Sequence, residues 1–479
     1  MVLLDKIKQN IHEQNLFQGG DTVVVAVSGG PDSIALLHML YRLSDEQGWK
    51  VIAAHVNHQF RKEESAEEAK YVMSFASGLG IPCEVGVIDV PAYIRETSLN
   101  PQVAAREKRY EFLHKIANVY NADKIALAHH ADDQAETVLM RIVRGTGLSG
   151  LTGIPIKRKE KNVELVRPML RIYKNEVISY CHEHQLHFFR DSSNDSRKYF
   201  RNQVRLDVLP FLSSYNEHLP EALNRLAEMV KGEDDYMDEQ ARREMSSLVK
   251  CQKDSYSFGR TAFLSLHLAL QRRVIKLILN YLALQAEKID FITVEQIRLA
   301  ILQDAHSNVR LNLPEELLFI REYEAIRIQK ETEAARSFSY FVRLEQSSEH
   351  ISVPESGLQI KFTVEELISN VPDSAYIPFS RDEACFDWDG LNKPLCLRSR
   401  KDGDRMEILG LNGSKKVKDM FIDAKIAPSR RDRIPLLTDA DDKILWIPGM
   451  RRSGHALVTP ETKRLLRVKC FHSGDPFIR

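Results

Sequence analysis

TVVVAVSGGPDSIALLHML, residues 22–40, is the stretch that decides how this chain is read. Thr22–Val27 is an apolar run dominated by β-branched residues, the pattern of a strand buried on both faces. Ser28-Gly29-Gly30 turns sharply, and Pro31 has the fixed φ that suits the first turn of a helix. From Asp32 onward Ile34, Leu37 and Leu40, with Ala35 and Met39, recur at helical spacing. Strand, glycine turn and helix start together aim backbone N–H groups and a helix dipole at one spot, which suits a phosphate. The Gly-Lys-Ser/Thr ending of a Walker A loop is missing. Ser28 and Ser33 supply hydroxyls instead. Asp32 would be repelled by a phosphate unless a cation stood between them, so a nucleotide here implies Mg²⁺. The alternative is a plain tight turn with Asp32 as a helix-start carboxylate.

A length of 479 residues predicts about three domains. No apolar run reaches the roughly 18–20 residues of a membrane span. The amphipathic N-terminus, MVLLDKIKQNIHEQN, lacks an apolar h-region and a cleavage site, which predicts no signal peptide. The 67 basic and 67 acidic side chains balance, which excludes a uniformly basic nucleic-acid binder and leaves room for local patches. Cys83, Cys181, Cys251, Cys385, Cys396 and Cys470 form no C-x-x-C pair. They read as reduced thiols of a cytoplasmic protein, without a zinc or iron–sulfur framework.

Outward from the opening stretch, residues 1–20 read as a leading helix. Strands are expected at Val51–Val56, Cys83–Val90, Lys124–Ala128 and Val163–Leu170. Helices are expected at Glu63–Leu79, Ala104–Tyr120, Asp132–Val143 and Asn175–His184. This alternation predicts an α/β fold with a doubly wound parallel sheet, whose ligand crevice lies beyond the carboxyl ends of the strands. Residues 1–214 form that domain. Residues 215–385 read as a mainly helical domain followed by a β-leaning connector. Residues 386–479, rich in Gly and Pro, read as a small α/β or β-rich C-terminal domain.

Further polar strings fall at strand ends. His55-Val56-Asn57-His58 could bind a metal, hydrogen-bond a nucleotide or be a solvated loop. Arg106, in AAREKRY at 104–110, opens a helix where small residues permit close approach, and its guanidinium can clamp a phosphate or carboxylate. In His129-His130-Ala131-Asp132-Asp133-Gln134-Ala135-Glu136, Asp133 and Glu136 share one helix face. Asp132 suits a helix cap. Paired carboxylates near a nucleotide can hold Mg²⁺, and a histidine can move a proton or stabilise charge. Arg141, Arg144, Gly145-Thr146-Gly147 and Gly150 form a basic, glycine-rich loop suited to a phosphate or an RNA backbone. Arg398, Arg400, Lys401, Arg405, Lys415, Lys416, Lys418, Lys425, Arg430, Arg431 and Arg433 interleave with acids in the C-terminal region, either as a solvated face or as a surface for a nucleic-acid backbone.

The Ser-Gly-Gly-x-Asp-Ser string resembles the PP-loop of the N-type ATP pyrophosphatases, which split ATP between its α and β phosphates. Together with HVNHQFR at 55–61, AAREKRY at 104–110, AHHADDQAETVLMRIVRGTGLSGL at 128–151, VRPML at 166–170 and DSSND-x-x-x-YFRNQVR at 191–205, it resembles the tRNA(Ile)-lysidine synthetase family. RSRKDGDRMEILG at 398–410 and KKVKDMFID at 415–423 resemble that family's terminal domain. Phe60 stands where leucine is common, and LNPQV before Ala104 departs from the usual form.

The resemblance implies an enzyme of ATP-dependent tRNA modification. ATP adenylates O2 of the wobble cytidine of a CAU-anticodon tRNA(Ile), with release of pyrophosphate. The ε-amine of L-lysine then attacks C2, AMP leaves, and lysidine results. It implies that Ser28, Gly29, Gly30, Pro31, Asp32, Ser33 and His55 hold ATP, with Asp32 and Asp133 on Mg²⁺. It places Asp133 and Glu136 near the lysine amine or the metal, His130 and Arg106 facing the adenylated base or its phosphate, and Arg205 at the same site from the returning chain. Such an architecture is compatible with a homodimer. The other PP-loop reading, a tRNA thiolase, would need catalytic cysteines that the early segments lack.

Overall fold

A computed structural model describes residues 2–60, 62–189, 196–283, 289–304, 308–331, 337–344, 348–367, 381–408 and 413–472. Arg61 and the DSSND string at 191–195 lie outside them. The chain divides into two compact units, Met1–Asp238 and Glu239–Arg479.

The first unit opens with α1 (Leu3–Glu13) and continues β1 (Thr22–Ala26), α2 (Pro31–Gln47), β2 (Lys50–Asn57), α3 (Lys62–Gly78), β3 (Cys83–Val87), α4 (Val90–Thr97), α5 (Pro101–Val119) and β4 (Lys124–Ala126). It then runs α6 (Ala131–Arg144), α7 (Leu148–Leu151), β5 (Lys157–Glu160), β6 (Val163–Val166) and α8 (Lys174–Glu183). The leading helix is shorter than expected, stopping at Glu13 before Asn15 adopts a left-handed φ of 48°. The sheet order is β3-β2-β1-β4-β6-β5. Its first five strands are parallel, and β5 is an antiparallel edge.

The two-sided burial read in β1 is realised strand by strand. Val23 and Val25 join the core under α2, with Ile34, Leu37 and Leu40, whereas Val24 joins the core under α5, with Leu113 and Ile116. Side chains alternate across a strand, so a run that is apolar at every position can only sit between two helical layers. Strand order reverses between β1 and β4. The loops leaving those strands therefore open a crevice, and they carry Ser28–Ser33 and His129–His130.

The chain then forms α9 (Phe200–Gln203), a π-helical turn at Val204–Val208, α10 (Leu209–Ser213) and α11 (Leu219–Leu248). Beyond it, α12 (Arg260–Leu264), α13 (Leu268–Leu282) and α14 (Phe291–Leu302) bear out the helical character of this region. They are joined by an antiparallel sheet of β7 (Lys250–Gln252), β8 (Ser255–Gly259), β9 (Asn308–Leu313), β10 (Leu317–Glu322) and β11 (Ala325–Lys330) that sequence patterning overlooked. Its hairpins turn through Glu315, Glu316 and Tyr323 at positive φ, without the Asn-Gly or Asp-Gly that advertises such a turn.

The connector expected up to residue 385 is corrected. Strands β12 (Ser339–Val342), β13 (Ser348–Val353), β14 (Leu358–Glu366) and β15 (Glu383–Asp387) belong to the terminal β structure. There β12 pairs with β16 (Leu395–Arg398), and β14 pairs along its whole length with the last strand, which runs from Arg464. Val353, Ile360, Phe362 and Phe386 share one core with Leu395, Trp446 and Val468. Two of the basic residues expected to face tRNA are structural. Arg398 is buried against Asp404 and Asp442, and Arg431 is buried with its Nε donating to the Ile426 carbonyl.

A boundary at 386 would therefore cut a core. A fragment of residues 386–479 is expected to show no cooperative thermal transition by circular dichroism, whereas residues 337–479 melt cooperatively. Cooperative melting of the shorter fragment would restore the boundary at 386.

Candidate active site

The loop after β1 is built as its residues demand. Gly29 sits at φ +90°, where a side chain would be strained. Gly30 caps α2 without a side-chain bond, which leaves first-turn N–H groups for an anion. The Ser33 hydroxyl donates to the Gly30 carbonyl at 3.0 Å, accepts from the Ser28 N–H at 3.0 Å and lies 3.1 Å from the Ser28 hydroxyl. These bonds lock the loop without using Asp32, which stands on the wall of a cavity of about 350 Å³.

That cavity is lined by Ser28, Asp32 and Ser33, by the end of β2 from His55 to His58, and by Arg109 and His129. His55 is buried, and its Nδ1 lies 2.9 Å from the Val27 carbonyl. A carbonyl only accepts, so Nδ1 carries the proton and Nε2 is a bare acceptor, with no partner among the described residues. Burial lowers the His55 pKa and keeps the ring neutral. Burial, helped by Arg109 and His55, pushes His58 down to about 4. Neutral histidines with unmet ring nitrogens fit a base or ribose. Among the described residues no cluster of three or more His, Cys, Asp and Glu side chains suits a metal.

Across the switch point stands the second string. His130 precedes α6, and its N–H donates to Asp133 Oδ2 at 3.1 Å, closing a capping box. Its ring is buried among carboxylates: Nδ1 is 3.3 Å from Asp132 Oδ2, and Nε2 is 3.5 Å from Asp133 Oδ2 and 3.9 Å from Asp32 Oδ2. Burial lowers its pKa, but Asp132, Asp133 and Asp32 outweigh burial and raise it. His129 next to it goes the other way. Burial, aided by Arg167, Arg201 and Arg106 and opposed by Asp133, pushes it down to about 4. Adjacent histidines are thus tuned apart, one towards the charged form and one towards the neutral form.

Asp133 and Glu136 meet the chain returning through residues 197–208. Arg201 donates to Asp133 Oδ1 at 2.8 Å and to Glu136 Oε2 at 2.9 Å. Arg205 donates to Asp133 Oδ1 at 3.2 Å and to Glu136 Oε2 at 3.0 Å. Glu136 is only 2 % exposed, so this is a buried double clamp. Arg205 lies in the π-helical turn, a distortion common at functional sites. Two further residues complete the site and were not foreseen. Lys174 Nζ contacts both Asp32 oxygens at 2.5 Å, while the Lys174 N–H donates to Asp132 Oδ2 at 2.8 Å. Arg201 had a legible signal, four residues before Arg205 and so on the same helix face; Lys174 had none.

Other expected residues are placed differently. Arg106 is exposed on α5, its guanidinium stacked over Tyr110 at 4.6 Å and donating to the Tyr110 hydroxyl at 3.2 Å. It touches none of the clustered acids. Of the two carboxylates expected to hold Mg²⁺, Asp32 lines the cavity with both oxygens on the Lys174 ammonium, so a cation there would take the place of that ammonium. Asp133 has one oxygen on Arg201 and Arg205 and the other on the His130 N–H.

A parallel sheet with a serine- and glycine-rich loop at its switch point, facing a His-Asp string, defines an ATP-using enzyme of the PP-loop class. A PP-loop domain model matches residues 3–212, a TilS substrate binding domain matches 260–327 and a TilS substrate C-terminal domain matches 395–470. The tRNA(Ile)-lysidine synthase of Bacillus subtilis (strain 168) is 34% identical over 465 residues, covering 97% of each chain. That of Clostridium tetani is 35% identical over 471 residues, covering 98% of each. The U34-tRNA thiolase NcsA of Methanococcus maripaludis aligns with 48% of this chain and 78% of its own, at 20% identity and a TM-score of 0.41. The chain belongs to the tRNA(Ile)-lysidine synthase family.

Two outcomes follow for the clamp and the histidines. Glu136→Ala leaves two guanidiniums facing a buried gap and is expected to cost about 3 kcal/mol or more by urea unfolding; a loss under about 1 kcal/mol would show the clamp to be solvated. His129 binds its proton near 6.5 when unfolded and near 4 when folded, so stability falls as pH drops through that window. His130 contributes oppositely, stabilising below its unfolded value and losing that contribution as pH rises through its raised folded value. His129→Gln is therefore expected to flatten the fall of the urea midpoint between pH 6.5 and 4. An unaltered slope would remove His129 as its source.

Proposed function

We propose that this protein forms lysidine at the wobble cytidine of a CAU-anticodon tRNA(Ile), using ATP and free L-lysine. One juxtaposition supports this reading above the rest: a nucleotide-sized cavity walled by Ser28, Asp32, Ser33 and His55 faces the His130–Glu136 string across the β1–β4 switch point. Cytosine O2 attacks the α-phosphate of ATP, pyrophosphate leaves, and the adenylated ring becomes electrophilic at C2. The lysine ε-amine attacks there, loses a proton, and AMP departs.

The residues divide this work. Ser28, Gly29, Gly30 and Ser33 seat phosphates through hydroxyls and backbone N–H groups, and Pro31 fixes the first turn of α2 beneath them. His55 Nε2 accepts from base or ribose. Asp32 would hold Mg²⁺, which supplies neutralisation of phosphate charge. His130, biased towards its charged form by three carboxylates, stabilises negative charge on the departing phosphates. Asp133 and Glu136 act through Arg201 and Arg205, holding the returning chain and its guanidiniums at the site; they are positioning residues. Arg106 meets the RNA at the rim. Residues 215–479 hold tRNA, with exposed Lys416, Lys418, Lys425, Arg430 and Arg433 on its backbone.

The test is lysine-dependent product from unmodified CAU-anticodon tRNA, with pyrophosphate release followed separately. Asp32→Asn is expected to slow pyrophosphate release by about 100-fold or more while tRNA affinity stays within about 3-fold. A CAU-anticodon tRNA that yields no lysine-dependent product overturns the proposal. Equal loss of tRNA affinity and adenylation overturns the role of Asp32.

A further inference from the structure

The loop after β1 offers a phosphate hydroxyls and backbone N–H groups but no cation, whereas a Walker A loop keeps its own lysine on the β and γ phosphates. Here the fold brings a lysine from another element. Lys174 is the first residue of α8, 142 positions from Asp32, and its Nζ lies 2.5 Å from both Asp32 oxygens. Asp32 lines the nucleotide cavity, so the ammonium stands at the wall of that cavity.

Lys174 is fixed in place by its main chain. Its N–H donates to Asp132 Oδ2 at 2.8 Å. The Tyr173 N–H before it donates to Glu176 Oε2 at 3.1 Å, within a capping box at the start of α8. Neither bond uses the Lys174 side chain, which is 38% exposed. The ammonium can therefore leave Asp32 on its flexible four-carbon stem without disturbing α8.

Charge decides where it goes. A cation on Asp32 and the Lys174 ammonium would repel each other across a single carboxylate. The neighbouring acids are engaged already. Asp132 meets the Lys174 N–H and the His130 ring, Asp133 meets Arg201, Arg205 and the His130 N–H, and Glu136 meets both arginines. The negative charge left for the ammonium is the polyphosphate that arrives with the cation. An ammonium, with three donors and no acceptor, suits phosphate oxygens.

We infer that Lys174 is the phosphate-binding cation that the loop itself lacks: it pairs with Asp32, yields Asp32 to Mg²⁺ when ATP binds, and then holds the β and γ phosphates. As the bond between the α-phosphorus and the bridging oxygen breaks, its electron pair stays on the departing pyrophosphate, and the Lys174 ammonium stabilises that charge. The inference rests on the proposed function, which gives Asp32 the cation, and adds to it a residue on the leaving group.

The experiment is equilibrium dialysis of the full-length protein without tRNA. It measures ATP binding against Mg²⁺ concentration, and the displacement of ATP by pyrophosphate and by AMP at saturating Mg²⁺. Lys174→Met is expected to weaken pyrophosphate binding about 10-fold or more while AMP, which lacks the β and γ phosphates, stays within about 2-fold. The same variant is expected to lower the Mg²⁺ concentration for half-maximal ATP binding by about 3-fold or more, because Asp32 no longer has a competing partner. Lys174→Arg, which keeps the charge, should retain most of the pyrophosphate affinity. Unchanged pyrophosphate binding in Lys174→Met, an equal loss for pyrophosphate and AMP, or a raised Mg²⁺ requirement overturns the inference, as does a Lys174→Arg protein as weak as Lys174→Met. A wild-type protein whose ATP binding ignores Mg²⁺ overturns instead the placing of the cation on Asp32.

Discussion

Glu136 lies almost out of reach of water between two guanidiniums, and the organisation of the first unit follows from that contact. A buried carboxylate is tolerated only when it is paired and hydrogen-bonded. Arg201 and Arg205 meet that requirement from a segment distant in the chain, and in doing so they bind the returning helix to α6. The same two arginines reach Asp133, which in turn caps His130. One network of charges therefore fixes the strand-end histidine, the start of α6 and the helix leading to the remainder of the chain.

Charge balance explains why so many acids can stand at one crevice. Asp32, Asp132, Asp133 and Glu136 would repel one another and any phosphate. Lys174, Arg201 and Arg205 offset most of that charge, and His130 is drawn towards protonation by the remainder. Lys174 occupies both oxygens of the carboxylate best placed for a phosphate-bound cation. The acids thus divide into one facing the nucleotide cavity and a set that orients cations. Helix α6 presents that set on one face.

Much of this was legible in advance because it is local. The β1 run, the glycine turn and the helix start are consecutive residues whose geometry follows from sterics and side-chain period. The i, i+3 spacing of Asp133 and Glu136 places them on one helix face in any environment. The parallel sheet follows from the alternation of strands and helices, whereas its strand order came from the structure. Residues 250–330 were harder, because their hairpins turn on Glu and Tyr at positive φ. The stretch before residue 386 was harder still, since strand β14 finds its partner about one hundred residues later.

By itself, the sequence determined the class of the fold, the place of the phosphate loop and the family, since each resides in short strings whose chemistry needs no distant partner. Only the tertiary structure decided what each charge does. Pairing energies depend on distance and burial, which join Lys174 to Asp32 across 142 positions and Arg205 to Glu136 across 69. It moved Asp133 and Glu136 from open carboxylates to a clamp, and Arg398 and Arg431 from a basic surface to the core.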